Sequence, residues 1–190
     1  MNTPLFRVRC ITIVSVVVTV TVFSRAADRP ITVCEALTNI NEHRDKIVAV
    51  RAVLLGGYHS EFLKDSESDE PCDGVKKKGY VGPPAIAITQ YTESSDVEGG
   101  PVTFESKTEE IKSALAEARK RVKADPSLAI VATFTGQLRA RKDVRILRNP
   151  EGWYYGSGYG QNGQYPALLV LMTVRDVNVV RKDNILPNER

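Results

Sequence analysis

The densest gathering of side chains able to do chemistry lies between Arg139 and Tyr165, in the stretch RARKDVRILRNPEGWYYGSGYGQNGQY. Arg139, Arg141, Lys142, Arg145 and Arg148 come first, and Trp153, Tyr154, Tyr155, Tyr159 and Tyr165 then fall within 13 residues. Aromatic faces stack on bases or sugar rings, cationic side chains hold phosphate or carboxylate, and glycines let a backbone approach a ligand closely. This is the composition of a binding loop, with Arg141, Arg145, Arg148, Trp153, Tyr154, Tyr155 and Tyr159 as its ligand-binding candidates. The plainer alternative is that the tyrosines pack over an open end of the fold, since large aromatics want some partner, and that the glycines only serve turns.

No other segment offers a catalytic set, so no catalytic residue is assigned. Asp65, Glu67, Asp69, Glu70 and Asp73 begin like a calcium loop. Glu70, however, stands where that loop needs glycine, and Lys76 where it needs glutamate. A solvated acidic loop is the better reading, with Lys76, Lys77 and Lys78 as its basic neighbours. His43 and His59 are isolated, so no metal is expected. No glycine loop that cradles phosphate is present, and no cofactor is implied.

Of the three cysteines, Cys34 and Cys72 are expected to form a disulfide, with two free thiols as the alternative. The closed loop would contribute about 3–4 kcal/mol through unfolded-state entropy. Cys10 belongs to the first 26 residues, which read as an export signal: Arg7 and Arg9, an uncharged run of 13 residues from Ile11 to Phe23, then Ser24-Arg25-Ala26. The run is short for a membrane span, which takes about 20 apolar residues. An uncleaved anchor over residues 11–23 is the competing reading, and only then would a membrane be a partner.

The signal also explains the charge. The chain has 26 Lys+Arg against 23 Asp+Glu, and removing residues 1–26 takes away Arg7, Arg9 and Arg25 but no acid, leaving 23 of each. A neutral domain lacks the overall electrostatic footprint of a nucleic-acid binder. The charge is nonetheless polarised: residues 27–100 carry 8 basic and 13 acidic residues, and residues 101–190 carry 15 and 10.

Residues 27–190 read as one domain. Thr32 to Glu35 has the form of a capping box and predicts a short helix over about 33–41, with Val33, Ala36, Leu37 and Ile40 at helical spacing. Ile47–Leu55 is β-branched and predicts a strand with Val48, Val50, Ala52 and Leu54 on one face. Tyr58–Lys64 and Ala85–Tyr91 predict the second and third strands. Phe104–Ala124 predicts a helix with a stripe of Phe104, Ile111, Leu115, Ala118 and Val122, a capping box at Ser106–Glu109 and a Glu117–Arg121 pair. Leu128–Arg139 and Ala167–Val180 predict the last two strands, with a bulge or coil at Gly136 and a long loop over 142–166.

This order predicts a mainly β fold with two helices. Five strands with a helix between the third and fourth resemble the OB-fold, a Greek-key barrel. Val48–Leu55 with Phe62-Leu63-Lys64-Asp65 resembles the first hairpin of such domains, and Ala132–Leu138 with its glycine resembles the fourth strand. The whole is similar to small exported bacterial OB-like proteins of uncharacterised function. The OB-like order, the aromatic and basic loop and the shortage of catalytic constellations together point to a non-catalytic binding module that uses the barrel face and the 142–166 loop, with no binding residue carried over from the resemblance. Its ligand would be an oligosaccharide, an envelope protein or, with less support, a nucleic acid strand. The competing expectations are a structural or assembly protein of the cell envelope, and a small secreted hydrolase such as a nuclease.

Overall fold

The computed structural model describes residues 29–56, 61–65, 84–90, 102, 104, 106–141, 144–160 and 162–185. Among these residues the fold is mainly β, a five-stranded mixed sheet with three α-helices. The sheet strands are β1 (Ile47–Gly56), β2 (Glu61–Lys64), β3 (Ile86–Gln90), β4 (Leu128–Ala140) and β7 (Ala167–Arg181). A separate hairpin pairs β5 (Ile146–Arg148) with β6 (Tyr154–Gly156). The helices are α1 (Val33–Thr38), α2 (Ile40–His43) and α3 (Thr108–Ala124).

Each sheet strand bonds to two others in the order β1-β2-β3-β7-β4, and β4 returns to β1, so the sheet closes on itself as a barrel. Only β3 and β7 run parallel, with Ile86 opposite Ala167. One strand can serve two neighbours because β7 is long. Its first five residues pair with β3, while its whole length pairs with β4.

Strand alternation fills the interior. Val48, Val50, Ala52 and Leu54 of β1 face in as the sequence predicts, with Leu63, Ile86, Ile130, Ala132, Phe134 and Leu138 from the neighbouring strands. In β7 the inward parity changes twice: Ala167, Leu169 and Leu171 face the core, then Val174, then Val177 and Val179. The cause is two register shifts against β4, each adding one residue to β7. At the first, Met172 is the extra residue, and its carbonyl accepts from the Lys107 amide (3.2 Å) at the start of α3. At the second, Asp176 takes a left-handed φ of 52°. Its carbonyl accepts from Arg51 (2.9 Å), and its carboxylate accepts from the Thr133 hydroxyl (3.2 Å).

Gly136 sits at the first shift, opposite Leu171. A side chain there would collide with the backbone carbonyl of Val170, so β4 and β7 can pass this closely only at glycine. The irregularity read at Gly136 is therefore present and has a steric reason, although its extra residue lies on β7 and not on β4.

Four readings are corrected. The first helix breaks at Asn39 into α1 and α2, giving three helices among the described residues rather than two. Its capping box is intact: Thr32 Oγ1 accepts from the Glu35 amide (3.0 Å), and Glu35 accepts from the Thr32 amide (2.7 Å). The long helix starts at Thr108 instead of Phe104. Its expected capping box does not form, because the Ser106 hydroxyl donates to the Leu171 carbonyl (2.8 Å) and ties the helix start to the sheet. Phe104 joins a different apolar cluster, while Ile111, Leu115 and Ala118 keep the expected core stripe. No Glu117–Arg121 ion pair forms. Instead Arg119 reaches β2 to meet the Glu61 carboxylate at 2.6 Å. Finally, the long loop read over 142–166 is built around the β5–β6 hairpin.

Asp65, just after β2, spends both carboxylate oxygens on the start of α1. They accept from the amides of Val33 (2.6 Å) and Cys34 (2.7 Å), orphan donors that a helix start leaves without an internal partner. Burial, the largest influence, pushes the Asp65 carboxyl above its usual range, against the opposing pull of those two bonds.

Candidate functional site

The long connection is shaped by a tight turn at the tip of its hairpin. Leu147 pairs with Tyr155 and Arg148 with Tyr154. The turn Asn149-Pro150-Glu151-Gly152 closes with the Gly152 amide on the Asn149 carbonyl (3.0 Å), and Gly152 takes φ 90°. That conformation suits glycine, whereas a Cβ would strain it. Asn149 then fixes Trp153 twice: its side-chain oxygen accepts from the Trp153 amide (2.7 Å), and its own amide donates to the Trp153 carbonyl (2.9 Å).

The base of the connection is buried. Tyr159 and Tyr165 bond each other's backbones and lie 3% and 4% exposed. They pack with Ala85 just before β3, with Ala87, Leu168 and Val170, outward residues of β3 and β7, and with Phe62 and Phe104. This second apolar cluster lies outside the barrel, so the connection folds back over the sheet. Burial raises the Tyr159 hydroxyl above its ordinary range, with Arg141 pulling the other way.

Between the hairpin and β2 lies a cleft of about 230 Å³, lined by Phe62, Lys64, Gly152, Trp153, Tyr154, Gln164 and Tyr165. Phe62 and Tyr165 stack, with centroids 5.3 Å apart and planes 28° apart. Lys64 is buried to 5% exposure, with its ammonium 5.8 Å from the Phe62 ring centroid. Trp153 is 70% exposed and gives the cleft an open aromatic wall. Flat rings, one ammonium and one amide are what a ring-bearing ligand needs: stacking faces, and few but directed polar contacts.

The seven candidates read from the sequence separate into groups. Trp153 and Tyr154 line the cleft. Tyr155 is 46% exposed and shares a hairpin face with Leu147 rather than the cleft. Tyr159 is buried in the second cluster and offers a ligand no face.

The arginines brace the connection. Arg141 donates to the Ser157 carbonyl (2.6 Å) and lies 5.1 Å from the Tyr159 ring centroid. Arg148 donates to the Gly152 carbonyl (3.2 Å) and lies 5.4 Å from the Tyr154 ring centroid. Arg145 is anchored by its backbone, its amide donating to the Ser157 hydroxyl (3.0 Å), and its side chain is exposed.

Five cleft residues escaped the sequence reading as site residues: Phe62, Lys64, Gly152, Gln164 and Tyr165. One signal was available, because alternation along β2 placed Phe62 opposite the inward-facing Leu63. A large ring on the outer face of a sheet strand asks for a cover.

Other sequence features resolve only in part. His59, Glu67, Asp69, Glu70, Cys72, Asp73 and Lys142 lie outside the described residues, as do residues 1–28. His43 ends α2. Among the described residues no three His, Cys, Asp or Glu side chains gather to hold a metal ion. No described helix is long and apolar enough to cross a membrane. Compared with protein-family models, with curated proteins and with solved structures, the chain matches none.

Proposed function

We propose that the protein is an exported binding module with an OB-like Greek-key barrel, and that the cleft beneath its β5–β6 hairpin takes one ring of an oligosaccharide. The observation that carries this reading is the walling of one cleft by Phe62, Trp153, Tyr154 and Tyr165 with Lys64 and Gln164 at its edge. About 230 Å³ is below the ~300–1,000 Å³ usual for a whole small-molecule ligand. It suits a single ring, with the rest of a chain lying along the surface. A sugar is favoured over a base because the chain after residue 26 has as many acids as bases.

Several observations support the barrel assignment. The strand order is that of a closed five-stranded ring, its third and last strands are parallel, and α3 lies between the third and fourth strands. Export is supported by the pattern of residues 1–26. The proposed Cys34–Cys72 bond is supported by the even pair of cysteines that remains after residue 26. The position of Cys34 at the start of α1, against Asp65, would then be doubly tied to the β2–β3 connection.

Isothermal titration with a panel of β-linked oligosaccharides, and with single-stranded oligothymidylate for comparison, tests the reading. Oligosaccharide binding that disappears in Tyr154→Ala is the expected result. Oligothymidylate binding in place of sugar would turn the ligand class to nucleic acid, and heat from neither probe would remove the cleft as a glycan site.

A further inference from the structure

We propose that the outward face of the β5–β6 hairpin docks the protein on an anionic lipid surface. Among the described residues the exposed large hydrophobics are Ile47, Leu147, Trp153 and Tyr155, and the last three sit on this one hairpin. Leu147 and Tyr155 are direct cross-strand partners and so project from the same face. They are 55% and 46% exposed, beside Trp153 at 70%. The hairpin is not loose. The two Asn149–Trp153 bonds and the Arg148–Gly152 bond hold its turn, so the apolar tip is presented in one shape.

Size and charge choose the occupant. Three partly exposed side chains offer roughly 400 Å², about half of the ~800 Å² that each partner of a stable protein interface contributes. That area is too small for a lasting contact with a second copy, but it is enough for a shallow anchor in the headgroup region, where tryptophan and tyrosine are favoured. Arg145, just before β5, is exposed and makes no ion pair among the described residues, Arg148 is exposed at the turn while bonded to Gly152 and set against Tyr154, and Glu151 is the one described acid of the connection. Arginine beside exposed aromatics complements an anionic bilayer, its stem lying along the apolar region and its head at the phosphates. The contact shares Trp153 with the open wall of the cleft but does not use Phe62, Tyr154 or Tyr165, so it needs no sugar in the cleft.

Trp153 is the only tryptophan of the chain, so its emission reports the tip directly. The protein is mixed with vesicles of phosphatidylglycerol and phosphatidylcholine, and separately with phosphatidylcholine alone, and is scored by Trp153 emission and co-sedimentation. Blue-shifted emission and co-sedimentation with the anionic vesicles alone are expected, weakened by salt. Arg145→Ala is expected to weaken vesicle affinity about fivefold, and Leu147→Ser with Tyr155→Ser to abolish it. Both changes fall on exposed side chains, and far-UV circular dichroism confirms their folding. Tyr154→Ala keeps vesicle binding, which separates this face from the cleft. Absence of a shift with anionic vesicles, equal binding to neutral ones, or full binding by the Leu147/Tyr155 variant overturns the proposal. So does a concentration-dependent dimer that the same variant abolishes.

Discussion

Phe62 on β2 stacks against Tyr165 at the far end of the long connection, ring centroids 5.3 Å apart. This one contact closes the connection over the outer face of the barrel and forms the floor of the aromatic cleft. It also separates residues that hold the cleft from residues that face a ligand.

That separation is measurable. Tyr165→Ala removes a buried ring and is expected to cost about 3–5 kcal/mol. Tyr154 is only half-buried, and Tyr154→Ala is expected to cost about 1 kcal/mol. Urea unfolding of the two variants should show the large loss only for Tyr165. Equal losses would mean that Tyr154 also supports the fold.

Gly136 carries a second prediction. A methyl group there meets the Val170 carbonyl in the paired strand, where neither backbone can yield without disturbing the ladder. Gly136→Ala is expected to destabilise by about 1–3 kcal/mol, read as a lower melting temperature. A substitution at Gly56, where a Cβ meets nothing within 4 Å, serves as control and should be close to neutral.

Asp65 links the end of β2 to the start of α1. Asp65→Ala is expected to cost about 1–2 kcal/mol through the lost helix-start bonds. The pH dependence has a definite sign. The folded carboxyl is raised from 3.8, mainly by burial, so the folded state prefers its protonated form. The advantage of wild type over Asp65→Ala is therefore fully present below pH 3.8 and shrinks as pH rises through the raised value. Urea midpoints of both proteins from pH 3 to 7 check this. An advantage that grows with pH would contradict it.

Tyr159 makes the corresponding statement at the alkaline end. Its hydroxyl is raised from 10.0 by burial, so the unfolded chain ionises first. The stabilising effect is present below pH 10 and is lost as pH rises through the raised folded value. Tyr159→Phe should flatten the alkaline fall in melting temperature while leaving neutral stability close to wild type. An unchanged alkaline profile would show that Tyr159 does not carry it.

The barrel was legible because its strands alternate or run β-branched over many residues. Val48 to Leu54, Ile130 to Leu138 and Gly136 all landed where their patterns placed them. The two bulges of β7 were hidden, since Ala167 to Val180 is apolar on both parities until Arg175 and shows no break at Met172. The hairpin was hidden for a different reason: three-residue strands carry too little periodicity, and Pro150 with Gly152, Gly156 and Gly158 reads as a loop. Composition found the aromatic connection, yet it could not tell Trp153, exposed at the tip, from Tyr159, buried beneath. That difference depends on Phe62 and Phe104, which are distant in sequence. The basic residues misled for a related reason. Arg141 and Arg148 have the right type for an anion, but a carbonyl and a ring each lie within reach inside the connection itself.

The central claim is that the cleft receives a sugar ring, and the single tryptophan provides its most direct test. In a ¹⁵N–¹H spectrum Trp153 contributes the one indole N–H signal of the chain. Titrating β-linked oligosaccharide should move that signal together with the amides of Gly152, Tyr154 and Gln164. The amides of Thr133 and Asp176 should stay in place, and Tyr154→Ala should abolish the response. A stationary indole signal at saturating sugar, or shifts confined to residues away from Phe62 and Tyr165, would contradict the account.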